Sequence, residues 1–462
     1  MRMIISIAIC KLLYFAGKRA GKGSSLPGRA ALAVYPGVLK RVKLPETIIA
    51  VTGSNGKTST TEMLAHALES CGMKVAWNHE GANQIEGIAT LILRVAAFSG
   101  AVKCDALVME CDERYAQKIF EAVQPALLVV TNICRDQLTR NGHHEFIQDC
   151  IQKAVTAAAA NDAAGGMRLV LNADDPYVTA LSAARVQHEG SVIRSCRYFG
   201  ISGQAARGGF KPGMYDDGAY CPVCKEHMTY DYRIAAHMGG YRCGACGHKR
   251  PEPDIEVTGL DHETGEVRLD GGIATRLEFP SLSNAYNLAA AIAAVSMVGA
   301  GAGDAARALE GYELKGGRAQ RFSVGGRNGL LLVSKHENSL SYDQSLTWAA
   351  GRRAPCTVVI MVDSISRKYY TSETSWLWDV NFGILEAGSV QNIVLTGRYV
   401  NELAARFAMT PAGQNKISCV GDTEALRGHI ESSTTGDIVA ITCFSDKEKL
   451  LAALRGTQVI ES

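Results

Sequence analysis

No apolar run in this 462-residue chain approaches the roughly 20 residues needed to span a bilayer as a helix, which argues against an integral helical membrane protein. An excess of one charge is also missing, with 48 Lys plus Arg against 46 Asp plus Glu. Net charge therefore supports no nucleic-acid or acidic partner, and only local clusters count. The most apolar terminal stretch, Met1 to Phe15, is broken by Lys11. It predicts an amphipathic helix, the alternatives being an uncleaved signal-like segment or an interfacial anchor. The basic flank Lys18, Arg19 and Lys22 suits peripheral contact with a membrane.

Cysteine is plentiful, but ten of the fourteen stand singly in apolar or helical contexts such as Cys104, Cys111, Cys134 and Cys150. That is the usage of reduced thiols in a cytoplasmic protein. The other four form Cys221-Pro-Val-Cys224 and Cys243-Gly-Ala-Cys246, two knuckles 18 residues apart. The spacing is that of a zinc ribbon with four cysteines around a tetrahedral metal. Four thiolates leave no open position, so the zinc is expected to be structural, stabilising an insertion too small for a core of its own. His237, Arg242, His248, Lys249 and Arg250 lend the ribbon positive charge, but Tyr220, Tyr230, Tyr232 and Tyr241 alternate like a packing face, and nucleic-acid binding is the weaker reading.

The run Thr52-Gly53-Ser54-Asn55-Gly56-Lys57-Thr58-Ser59 follows the apolar stretch Ile48 to Val51 and precedes a helical pattern, Glu62 to Ser70. Glycines at 53 and 56 let backbone N–H groups face a triphosphate, Lys57 supplies a point charge, and the Thr58 hydroxyl suits Mg²⁺. Val51 stands where the commoner phosphate loop has glycine, so the match is to the shorter T-G-x-N-G-K-T form.

Six strands are predicted around and after this loop: 48–52, 74–78, 106–110, 127–132, 169–172 and 192–199. Helical patterns over 146–160 and 175–184 make the sheet parallel and doubly wound. The glycine-rich stretch 201–218 enters the ribbon, and Pro251-Glu-Pro253 leaves it. An alanine-rich helix is expected over 285–298. A second α/β unit follows Gly316-Gly-Arg318, with strands at 329–334, 357–362, 392–396 and 437–442. The expected domains are an N-terminal helical segment (1–45), a central ATP-binding domain (46–315, ribbon near 205–255) and a C-terminal α/β domain (316–462).

Glu110 ends an apolar strand at the sheet edge where doubly wound folds bind ligands, and it is the second candidate for Mg²⁺ beside Thr58. Asp112 and Glu113 are its neighbours at this edge, the alternative for both being a solvated turn. The Asp174-Asp175 pair is either a helix cap or a nucleotide contact.

Taken together, T-G-S-N-G-K-T-S-T-T, the strand ending in Glu110, V-T-N-I-C-R-D-Q-L from Val130, L-N-A-D-D-P from Leu171 and S-N-A-Y-N (283–287) resemble the central domain of the Mur ligase superfamily. The four-cysteine ribbon, S-L-P-G-R (25–29), E-G-A-N (80–83) and S-W-L-W-D (375–379) narrow the resemblance to the MurT family, the synthetase subunits of lipid II isoglutaminyl synthase. That resemblance implies ATP-dependent amidation of the D-glutamate α-carboxylate of the lipid II stem peptide, through an acyl phosphate. It places Asn284 and Asn287 near the nucleotide base, Arg318 at the phosphates, and Asp379 where ammonia arrives. It also implies a partner, a GatD-like class I glutaminase, because the only nearby Gly-x-Cys, Gly244-Ala-Cys246, lies in the ribbon.

Two segments depart from the family pattern. Where K-N-P-A-G-x-N-Q is usual, the chain has Lys335 to Gln344 with only those two ends retained, and 363–375 lacks the expected Asp-Gly. Both departures leave room for a paralogue acting on another carboxylate. A stand-alone Mur or folylpolyglutamate-type amino acid ligase would share the loop and Glu110, but has no need of the ribbon or S-W-L-W-D.

Overall fold

The structure, a computed structural model, describes residues 1–19, 24–79, 81–137, 141–160, 166–183, 193–206, 215–314, 319–364, 374–410 and 416–455. Arg318, Glu80, Leu138 and most of the 363–375 segment lie outside these, as does part of the ribbon entry.

Two sheets carry the chain. The first has nine strands: β1 (Thr47–Thr52), β2 (Val75–Trp77), β3 (Ala106–Glu110), β4 (Leu127–Val130), β5 (Met167–Asn172), β6 (Ile193–Ile201), β9 (Ile255–Leu260), β10 (Glu266–Leu269) and β11 (Ala274–Arg276). Their order is β11-β10-β9-β6-β5-β4-β1-β3-β2, parallel except where β10 pairs with β9 and β11. β3 and β4 are buried at every residue, as expected when helices cover both faces of a parallel sheet. The ribbon hairpin, β7 (Met228–Ala235) and β8 (Met238–Cys243), is inserted between β6 and β9, which pair with each other (Phe199 opposite Ile255). The insertion therefore leaves and rejoins the sheet at one place.

The second sheet runs β12 (Ala319–Val324), β13 (Arg327–Ser334), β17 (Asp437–Cys443), β14 (Cys356–Met361), β15 (Val390–Thr396) and β16 (Ile417–Val420), parallel apart from the β12–β13 hairpin. The doubly wound α/β class expected from the sequence holds for both sheets, with an antiparallel edge on each.

Four N-terminal helices matter for the site: α1 (Arg2–Arg19), α2 (Leu26–Val34), α3 (Lys57–Ser70) and α4 (Ile85–Val95). α1 departs from a simple amphipathic helix. It buries Ser6, Ile7 and Cys10, yet Ile4, Ile5, Leu12 and Phe15 are exposed, because apolar residues occupy both its faces. The alanine-rich helix Leu282–Met297 starts at a cap in which the Ser281 hydroxyl accepts from the Asn284 N–H (3.2 Å). Its small side chains let it lie close against α3, which fixes where the phosphate loop points.

Candidate functional site

The loop after β1 is held by strand β4 and its continuation. Gly53 has φ +127° and Gly56 φ +83°, both in the range that favours glycine. A side chain at Gly53 would run into Thr131 and Asn132, and one at Gly56 into the Asn287 amide. The Ser54 N–H donates to Asn132 O (2.8 Å), the Asn55 N–H to Asn132 Oδ1 (3.0 Å), and Thr131 Oγ1 to Asn55 O (2.6 Å). The loop conformation is thus fixed by β4 before any ligand arrives.

Lys57 opens α3, and its Nζ donates to Gly53 O (2.5 Å) and Glu113 Oε1 (2.6 Å). Burial works against its charge, but Glu113, Asp136 and Glu110 outweigh burial and hold its pKa above the ordinary lysine value. Glu113 is therefore no solvated turn. It and Asp112 are buried at the end of β3, and the strand delivers three carboxylates to one place. Glu110 accepts from the Asn83 amide (3.1 Å), and its backbone is fastened on both sides by Asn78.

A cleft of about 290 Å³ is lined by Gly56, Lys57, Thr58, Glu110, Glu113 and Asp136 from the central sheet, and by Lys335 and His336 from the second. Thr58 and Glu110 thus face the same space. Lys335 donates to Ser54 O (2.9 Å) and pairs with Asp136 (3.3 Å). Asn338, in the segment that departs from the family pattern, donates to Asn55 Oδ1 (2.9 Å) and Asp136 Oδ1 (2.7 Å) and caps the helix Ser339–Ala350. The altered segment therefore still grips the loop, by a residue that the family pattern does not point to. Gln344 accepts from Ser283, the other retained end. A second cavity of about 360 Å³, which Ser59 also borders, mixes apolar walls (Met63, Phe279, Leu330) with polar and charged ones (Asn284, Tyr312, Arg321). Asn287 supports the loop instead, sitting against Gly56 and accepting from Thr60 Oγ1 (3.2 Å).

Asp379 is not among the residues lining the first cleft. It follows the short turn Ser375–Trp378, whose Trp376 is packed beside Tyr342. Its carboxylate meets Arg135 Nη1 (3.3 Å), and Arg135 also holds Asp217 of the insertion (Nε–Oδ2, 2.7 Å). Burial raises the Asp379 pKa, and Arg135 opposes this without cancelling it. Arg135 thus joins the central sheet, the ribbon insertion and the C-terminal sheet. Beside it lie two buried imidazoles, His144 and His237, stacked on one another. Burial drives His144 down to about 3.

The ribbon sulfurs come together. Cys221 and Cys246 Sγ lie 3.6 Å apart and Cys224 and Cys243 Sγ 3.5 Å, with all four within 4.8 Å of one another. Four thiolates at about 2.3 Å from one zinc would lie about 3.8 Å apart, so the donor set fits tetrahedral zinc. The ribbon's cations are largely used internally. Arg250 pairs with Asp174 (2.6 Å) and Glu256 (2.8 Å), Arg242 pairs with Asp231 (2.9 Å), His237 is buried, and His248 contacts Pro176 O (3.0 Å). This pairing leaves little of the positive charge that nucleic-acid binding would need. Asp174 and Asp175 resolve as structural: Asp175 caps the helix at Pro176 and accepts from Ile133 N–H (2.7 Å), while Asp174 holds Arg250 and Tyr286.

Comparison with known proteins agrees with this architecture. The Mur ligase middle domain model matches residues 51–211, and the MurT ligase C-terminal model matches 336–445. The chain is 28% identical over 458 residues (97% of this chain, 96% of the relative) to "Lipid II isoglutaminyl synthase (glutamine-hydrolyzing) subunit MurT" of Streptococcus pneumoniae. It is 27% identical over 417 residues (88% of each chain) to the protein of the same name from Staphylococcus aureus. Among solved structures, it resembles a pseudomurein peptide ligase type C from Methanothermus fervidus, with TM-score 0.66, 19% identity, and coverage of 90% of this chain and 80% of that one. It also resembles MurF ligase from Thermotoga maritima in complex with ADP, with TM-score 0.63, 15% identity, and coverage of 93% and 83%. The chain thus carries a Mur ligase middle domain and a MurT ligase C-terminal domain, and along nearly its whole length it is similar to MurT subunits.

Proposed function

We propose that this chain is the synthetase subunit of an amidating ligase that uses ATP to convert the D-glutamate α-carboxylate of the lipid II stem peptide to D-isoglutamine. The observation that carries the reading is the cleft itself, where a fixed phosphate loop, Lys57 and Glu110 are met by Lys335 from the second sheet. Whole-length similarity to two MurT subunits supplies the acceptor.

The chemistry divides into two steps. An acceptor carboxylate oxygen attacks the γ-phosphorus of ATP, ADP leaves, and an acyl phosphate forms. Ammonia then attacks the acyl carbon, phosphate leaves, and the nitrogen loses a proton. Backbone N–H groups of Gly53 to Ser59 would hold the phosphates, and Lys57 and Lys335 would offset charge on the transferring group. Thr58 and Glu110 are the residues to hold Mg²⁺, which when bound neutralises phosphate charge. Ser59 and Asn284 border the cavity suited to the base, with Asn287 and Asn55 keeping the loop in shape. Arg318 is proposed for the phosphates on the family resemblance alone. Asp379, held by Arg135, would orient ammonia and accept its proton. Cys221, Cys224, Cys243 and Cys246 would hold the structural zinc.

Ammonia is proposed to come from a class I glutaminase of the GatD kind in a heterodimer, the relatives being named as glutamine-hydrolysing subunits. No helix among the described residues is long and apolar enough to cross a membrane, so reaching lipid II calls for a peripheral contact at the inner face. The test is mass spectrometry of lipid II incubated with the purified chain, ATP and ammonium chloride. Conversion of one carboxyl to amide is expected, lost in Lys57→Ala and Asp379→Asn. ATP turnover with lipid II unchanged would overturn the acceptor.

A further inference from the structure

Charge is distributed far less evenly than its total implies. Residues 1–45 contain nine Lys and Arg and no Asp or Glu, the first acid being Glu46. The remaining 417 residues hold 39 cations against 46 acids, a net charge of −7. The same cationic segment carries exposed apolar side chains. In α1, Ile5 is 44% exposed, Leu12 69% and Phe15 58%, with Ala8 exposed between them. The spacing 5, 8, 12, 15 puts them on one stripe of the helix. Arg2 lies at one end, Lys18 and Arg19 at the other, and all three are exposed.

The opposite face is already occupied. Ile7 and Cys10 are buried, Ser6 Oγ donates to Ala31 O (2.8 Å) in α2, and Lys11 Nζ donates to Arg94 O (2.7 Å) in α4. The outer stripe is thus an unpartnered surface on a helix that the fold holds in place. Leu26 (60% exposed) and Arg29 of α2 repeat the pairing of apolar and basic groups, and Lys40, Arg41 and Lys43 follow, all exposed.

We propose that the outer face of α1, with the start of α2, docks on the surface of an anionic lipid bilayer, its apolar stripe entering the interface and its cations meeting lipid phosphates. The absence of any acid in 45 residues favours that occupant over a protein of mixed charge. α4 links the surface to the cleft. Its last turn carries Arg94, which donates to Tyr14 Oη (2.7 Å), and its first turn follows Asn83 beside Glu110. Eleven residues of helix span about 16 Å, so docking would set the cleft close to the bilayer. The use of this surface in turnover rests on the lipid II reading; the docking itself does not.

The test is sedimentation of the full chain with vesicles of 30% phosphatidylglycerol in phosphatidylcholine, against phosphatidylcholine alone. At least tenfold stronger partition to the anionic vesicles is expected, lost in Leu12→Glu/Phe15→Glu and weakened in Lys18→Glu/Arg19→Glu. Amidation of lipid II in detergent should be unchanged in both variants. Equal binding to both vesicles, no binding to either, or unchanged binding of the Leu12→Glu/Phe15→Glu variant would overturn the proposal. So would a dimer in solution abolished by those substitutions, which would make the face a protein interface. Vesicle binding without amidation supports the surface and sinks the acceptor assignment instead.

Discussion

The phosphate loop and the Arg135 junction are built in opposite ways. The loop is eight consecutive residues, Thr52 to Ser59, whose glycines and strand-to-helix setting supply the turn that Thr131 and Asn132 then hold from the neighbouring strand. The junction joins Arg135 to Asp217, 82 residues away, and to Asp379, 244 residues away. A motif whose chemistry lies in consecutive residues keeps its groups together when a distant partner is lost. A non-local one depends on every element that delivers a partner, so the two regions should fail separately.

Removing the zinc proposed for the four cysteines should give the largest effect and the cleanest separation. A structural zinc contributes on the order of 10 kcal/mol to a ribbon of this kind. Chelation, or Cys243→Ser, should open residues 219–250 to protease and release Asp217 from Arg135. ATP binding should persist while acceptor-dependent turnover falls, and loss of both together would show that the loop is not independent. Lys57→Ala strikes the other region, with an expected loss of about 10²- to 10³-fold in amidation rate. Because it leaves Glu113 buried without its cation, thermal denaturation should also show destabilisation by about 3 kcal/mol.

Acidity tests the surroundings of the junction. His144, held neutral by burial with a pKa of about 3, binds its proton only on unfolding. Its contribution to stability is therefore lost as pH falls from about 6.5 toward 3, at up to about 1.4 kcal/mol per pH unit. Asp343, raised by burial to about 7, acts oppositely, since its protonated folded form loses stability as pH rises from about 4 to 7. His144→Leu should tilt the measured stability-pH curve toward acid, and Asp343→Asn toward neutral pH. Identical tilts would refute the burial account.

Arg135→Ala should cost about tenfold in turnover. It should also shift the acid limb of the pH-rate profile upward, because the guanidinium holds the Asp379 carboxyl down; a drop in rate with an unmoved profile would make the arginine purely structural. Asn338→Ala should have the smallest effect, about 1 kcal/mol in ATP binding, from two lost hydrogen bonds to Asn55 and Asp136. Calorimetry of ATP binding would measure it.

Legibility followed the same division. The loop, the strand ending in Glu110 and the spacing of the four ribbon cysteines were readable because each is a short pattern whose chemistry depends on neighbours in sequence. Glu113 was legible only as a neighbour of Glu110 with a solvated turn as the alternative, since nothing local indicates that the turn after β3 is covered by Lys57 and the facing domain. Asn338 was missed because it lies where a family pattern is broken, and its partners, Asn55 and Asp136, are about 200 or more residues away. Glu113 had one available signal, its place three residues beyond Glu110 at the same strand end.

By itself, the sequence determined two α/β sheets with parallel cores, a glycine-rich turn suited to phosphate and a four-sulfur cluster, because periodicity, glycine conformation and ligand spacing act over a few residues. Only the tertiary structure decided which charges meet: Lys57 with Glu113, Lys335 with Asp136, and Arg135 between Asp217 and Asp379. It also decided that one face of α1 is buried while an equally apolar face is exposed. Pairing and burial depend on distance through space, which chain folding sets and local sequence does not encode.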